Sequence, residues 1–141
     1  MDALDQRPRL MTFRVIEFNS RNAMPAVTGR EVTFSMTPTI EIGLGVPTQP
    51  EGAFEALVSI RINGKATLAE TPDEPLAEFS ASYEGRFVYP PGTAEDELQP
   101  RFERELHQYM LAAQTFPLAA GHFRRELMAM GFQVQGLPLG L

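Results

Sequence analysis

The chain has 141 residues, 43% of them hydrophobic and 21% charged, with a formal net charge of −6 and no cysteine. That length and composition fit one globular domain with a core of its own. The charge excludes a nucleic-acid surface built on a basic stripe, and the missing cysteine excludes disulfides, a thiol nucleophile and a thiolate metal site.

The N-terminus, Met1-Asp2-Ala3-Leu4-Asp5, is acidic where a secretory signal is basic, and no apolar run approaches membrane-spanning length. A cytoplasmic protein without membrane insertion is expected. Residues 1–11 read as a loose leader. A first strand follows through Phe13–Phe18, with Phe13 and Val15 facing one way and Ile16 and Phe18 the other. Apolar residues on both faces place it inside a sheet or at a subunit contact. Asn19 to Arg30 is a loop broken by Asn22, Pro25 and Gly29.

The second strand alternates over a long stretch. Val32, Phe34, Met36, Pro38, Ile40, Ile42 and Leu44 fall on one side, and Thr33, Ser35, Thr37, Thr39, Glu41 and Gly43 on the other. Pro38 cannot donate to a ladder, so an interruption, a bulge or an edge is expected there. After a loop from Gly45 to Gly52, the third strand sets Phe54, Ala56, Val58, Ile60 and Ile62 against Glu55, Ser59, Arg61 and Asn63. The fourth, over 76–89, sets Ala77, Phe79, Ala81, Tyr83, Phe87 and Tyr89 against Glu78, Ser80, Ser82, Glu84 and Arg86. Asn63-Gly64 and Thr71-Pro72-Asp73 carry turn chemistry between them, predicting antiparallel partners with one apolar face.

The period then changes to about 3.6. Thr93 and Asp96 form a capping signature, and Glu95, Asp96 and Glu97 suit a helix N-terminus. A long helix is predicted to start or kink at Pro100, with Phe102, Leu106, Tyr109, Met110 and Ala113 on its inner face, and to end at Phe116-Pro117. A second helix covers about 119–130, with Phe123, Leu127 and Met130 inward, and a short apolar tail closes the chain. The fold class is α+β: a four-stranded antiparallel sheet with two C-terminal helices packed on one face.

Four stretches together resemble the SecB family of protein-export chaperones, over residues 12–132. They are Pro38-Thr39-Ile40-Glu41-Ile42-Gly43-Leu44, Phe54-Glu55-Ala56-Leu57-Val58-Ser59-Ile60-Arg61-Ile62, Tyr83-Glu84-Gly85-Arg86-Phe87, and Arg104-Glu105 followed by Thr115-Phe116-Pro117. The resemblance implies an ATP-independent holdase that binds unfolded or precursor polypeptides in apolar grooves for export, assembled as a dimer or a dimer of dimers. It implies no cofactor. Many members carry a tryptophan before the second-strand proline, where this chain has Met36. The tail by which such chaperones contact the motor ATPase SecA has no counterpart in residues 133–141. SecA and a single dedicated partner, an antitoxin or a secretion-system component, are therefore both carried as candidate partners.

From the residues themselves, a surface that accepts many sequences needs apolar groups that repack, which methionine and phenylalanine supply. Phe34, Met36, Phe116, Leu118 and Phe132, at element ends, are the candidates for a client groove. Core packing alone explains the spacing of Phe34, Ile40, Ile42, Phe54, Val58, Ile60, Leu106, Met110 and Leu127. The face Phe79, Ala81 and Tyr83 either holds the chain's own helices or, as the resemblance implies for this strand, affects a subunit interface.

An enzyme is not expected. His107 and His122 lack a metal-type partner, His107 reads as a surface residue, and Gly43-x-Gly45 lacks the third glycine and following helix of a phosphate loop. A small-ligand domain remains a third reading, although no residue names a ligand.

Overall fold

The structure, a computed structural model, describes residues 7–23, 32–49 and 51–132. Four strands, β1 (Arg9–Asn22), β2 (Val32–Gly45), β3 (Glu55–Leu68) and β4 (Pro75–Val88), precede two helices, α1 (Glu95–Phe102) and α2 (Glu105–Ala129). The strands form one antiparallel sheet in the order β1-β4-β3-β2, and the helices lie on its apolar face. Strand β1 begins at Arg9, within the stretch expected to be a leader. Residues 1–6, the tail 133–141 and part of the first loop lie outside the described residues.

Alternation sets the inner face as expected. Ala56, Val58, Ile60 and Ile62 of β3, and Ala77, Phe79, Ala81, Tyr83 and Phe87 of β4, are buried, and their polar neighbours face outward. Each chain-centre row pairs apolar with apolar, as in Ile40–Ile60–Tyr83 and Ile42–Val58–Gly85. The core is completed by Leu98 and Phe102 of α1 and by Leu111, Phe116, Ala119, Phe123 and Leu127 of α2.

Strand β1 is an edge and not an internal strand. Its register slips at Met11 and again at Ile16. Each bulge inserts one residue and so inverts the alternation beyond it. Phe13 and Phe18 therefore share the inner face, although their odd spacing had placed them on opposite ones. Phe13 stacks on Tyr83 at 5.8 Å, and Phe18 meets Phe123 edge-on at 6.1 Å. Met11, Val15 and Ile16 are left exposed.

Asn63-Gly64 is not a turn. Both residues lie within β3, paired with Thr37 and Met36 on one side and Ser80 and Phe79 on the other. A Cβ on Gly64 would stand 3.4 Å from both Met36 Cγ and Phe123 Cζ, at the near limit of van der Waals contact. The hairpin turns further on, where the Thr71 amide donates to Leu68 O and that of Glu74 to Thr71 O. Pro38 is accommodated because β2 is the other edge, in unbroken register with β3.

The helices divide differently from the expectation. α1 is short, contains Pro100 on its exposed side, and begins after Ala94. The Thr93 hydroxyl donates to Pro90 O instead of capping the helix. α2 then runs 25 residues without a break, through Phe116-Pro117. Pro117 costs the hydrogen bond to Ala113 O, but burial of Phe116, Ala119, Ala120 and Phe123 on both sides of it holds the helix to the sheet. The buried stripe is Leu111, Ala112, Thr115, Phe116, Ala119, Ala120, Phe123 and Leu127. Leu106, expected in the core, is 80% exposed, and Tyr109 is also exposed. The predicted period was right, and its phase was set too early in the chain.

Candidate functional site

Helix α2 is pinned to the inner face at several points. Gly85 of β4 lets it come close, since a Cβ there would lie 2.7 Å from Thr115 Cγ2. The Thr115 hydroxyl, fully buried, donates to Leu111 O at 2.9 Å. Two tyrosine–histidine hydrogen bonds tie α2 to the sheet: Tyr83 Oη to His122 Nδ1 at 2.9 Å, and Tyr89 Oη to His107 Nε2 at 2.7 Å. Burial pushes both phenols up, that of Tyr89 to about 12. His107, expected at the surface, is half-buried between Tyr89 and Phe102. Burial holds its imidazole below the usual range, and the nearby Arg101 guanidinium adds to the effect.

The C-terminal end of α2 is closed by a Schellman motif. Gly131 takes φ +92°, Phe132 N–H donates to Leu127 O, and Gly131 N–H donates to Met128 O. The Asn22 side chain donates to Met130 O at 3.1 Å. This turn sends Phe132 back onto the sheet, where it meets Phe34 at 5.1 Å and Phe79 at 5.7 Å, both edge-on.

α2 packs across β1, β4 and β3. The inner face of β2 is covered less completely: Val32, Phe34, Met36, Ile40, Ile42 and Leu44 are all half-buried, a stripe along the full strand. The opposite side of β2 is Thr33, Ser35, Thr37 and Thr39, all exposed, with Glu41 the strand's single charged side chain.

Of the residues expected at a client groove, Phe34 and Phe132 touch, and Met36 follows Phe34 on the same face. Phe116 is buried beneath α2, and Leu118 is 43% exposed on the helix's other side. Phe79, Ala81 and Tyr83 are buried against α2 within the single chain. Ile40, Ile42 and Leu44 were legible as an apolar face. Their partial exposure depends on strand order, which alternation does not encode. No group of three or more metal-binding side chains occurs among the described residues, and no helix among them is long and apolar enough to cross a membrane.

A four-stranded antiparallel sheet ordered β1-β4-β3-β2, with two C-terminal helices across one face, is the SecB-like fold. Among solved structures, the chain is similar to the SecB-like chaperone Rv1957 of Mycobacterium tuberculosis, determined in complex with a ChAD peptide from the Rv1956 HigA1 antitoxin. The TM-score is 0.63 at 11% identity, over 89% of this chain and 85% of that one. No family model and no curated protein matches the sequence.

Proposed function

We propose that this chain is an ATP-independent chaperone that holds non-native polypeptide against the inner face of β2. The observation that carries the reading is the half-buried stripe Phe34, Met36, Ile40, Ile42 and Leu44 at a sheet edge that α2 covers only in part. Each client side chain buried there contributes roughly 1.5–3 kcal/mol, against ~0–1 kcal/mol for an exposed ion pair. Apolar contact therefore sets affinity, and the ordering of the client offsets much of it. Phe132 closes one end of the stripe through Phe34. The protein works in the cytoplasm as a homo-oligomer, at least a dimer, with the exposed Met11, Val15 and Ile16 of edge strand β1 available for a subunit contact. In this reading Phe79, Ala81 and Tyr83 act on assembly by fixing the position of α2. Delivery of precursors for export, through SecA, is its proposed place in the cell.

A second reading, a chaperone dedicated to one partner, is favoured by one observation: the similar structure holds a peptide from an antitoxin.

The test dilutes a chemically unfolded, unrelated protein into buffer with stoichiometric amounts of this chain and no nucleotide, and follows light scattering. Suppression that saturates at a fixed ratio is expected, and Ile40→Ser/Ile42→Ser should abolish it while circular dichroism is retained. Equal binding of folded and unfolded client would sink the holdase reading. No suppression, with tight binding of a single partner peptide, would favour the dedicated chaperone.

A further inference from the structure

Three ion pairs cross the outer face of the sheet, while Arg61 and Lys65 of β3 have none among the described residues. Arg14 meets Glu84 at 3.1 Å, Arg21 meets Glu78 at 3.6 Å, and Arg86 pairs with Glu55, whose carboxyl is lowered chiefly by that hydrogen bond. Arg7 and Arg9 stand apart by position, just before and at the very start of β1. Neither has an ion pair among the described residues, in a chain whose formal charge is −6. The cross-strand neighbour of Arg9 is the uncharged Val88. Pro8 is buried and Leu10 half-buried, so Arg7, Arg9 and Met11 alternate outward. With Val88, Tyr89, Pro90 and Pro91 they line a cleft of about 370 Å³. The cleft lies beside edge strand β1, across the sheet from the β2 stripe.

We propose that this cleft binds the carboxylates of an acidic polypeptide segment, with Arg7 and Arg9 holding the anions and Met11, Val88 and the two prolines receiving the apolar residues between them. The walls decide the class of ligand. A bare oxyanion is usually enclosed by converging backbone N–H groups, and Pro90 and Pro91 have none to offer. The guanidiniums supply the charged donors, and their fork matches a carboxylate bidentately. Two arginines at alternate positions fit acids at alternate positions of an extended chain, with an apolar residue between. Both arginines are exposed, so binding is modest and weakens as salt is added.

The experiment uses the full chain and a fluorescent, end-blocked peptide with glutamates at alternate positions separated by leucine and proline, read by fluorescence anisotropy. Its glutamine counterpart should bind about tenfold more weakly, and Arg7→Gln/Arg9→Gln should lose a similar factor. Arg61→Gln/Lys65→Gln removes the same charge from β3 and should change little, as should Ile42→Ser in the stripe. Inorganic phosphate at matched ionic strength should not compete. Equal binding of the two peptides, equal loss in the two charge-removal variants, or competition by phosphate would each overturn the proposal.

Discussion

Gly85→Ala tests how closely α2 must approach the sheet. The added Cβ would stand 2.7 Å from Thr115 Cγ2 and 3.0 Å from its hydroxyl oxygen, where carbon atoms normally sit about 3.5–4.0 Å apart. The neighbour gives little. Thr115 is fully buried, its β-branch restricts χ1, and its hydroxyl is engaged by Leu111 O. Overpacking of this kind costs about 1–3 kcal/mol. Removing a strand glycine returns about 0.5–1 kcal/mol through the unfolded state. The net expectation is a loss of ~1–2 kcal/mol. Thr115→Ala deletes both crowding atoms at a cost of ~1 kcal/mol for the hydroxyl's bond. In the Gly85→Ala background it should restore stability instead. The assay is a double-mutant cycle by urea denaturation at fixed protein concentration, since any oligomer makes the midpoint concentration-dependent. Additivity of the two changes to within about 0.5 kcal/mol would refute the close approach.

Three further outcomes are expected. His107 is held below its unfolded value of 6.5, so its contribution is fully present above that value and is lost as pH falls through the folded pKa. Urea midpoints between about pH 7.5 and pH 5 should fall with acidification, and His107→Gln should flatten that slope. Gly131→Ala forces an L side chain into φ +92° and should cost ~1–2 kcal/mol in urea unfolding, with Gly131→Asn milder. Pro117→Ala restores the amide facing Ala113 O on an exposed side of α2 and should raise thermal stability by up to about 3 kcal/mol.

The inner and outer faces of β2, β3 and β4 were legible because a period of two is unambiguous when one face is buried. The same rule failed in β1, where an inserted Ile16 changes parity and nothing in Val15-Ile16-Glu17 announces it. Asn63-Gly64 reads as a turn by local chemistry, and pairing with β2 on one side and β4 on the other overrides that preference. Pro117 reads as a terminator for the same local reason, and the apolar residues on either side of it keep the helix intact. The fold resemblance survived these errors, since element order and spacing do not depend on any one of them. The candidate site was half visible: Phe34, Met36 and Phe132 stood out by type. Which strand is left partly uncovered follows from pairing order, a long-range property.

That order, β1-β4-β3-β2, joins the first strand of the chain to the last. Phe13 lies opposite Gly85 and Asn22 opposite Ala77, whereas β2, β3 and β4 pair with neighbours in sequence. On a ribosome the three later strands can form a meander as they emerge. β1 waits until β4 has followed it out. Roughly 70 residues separate Phe13 from Gly85, and synthesis at ~5–20 residues per second makes that interval roughly 4–14 s. Leu10, Phe13 and Phe18 have no sheet to cover them during that time. The nascent first strand is then an unfolded apolar segment in its own right, of the kind the finished sheet is proposed to hold.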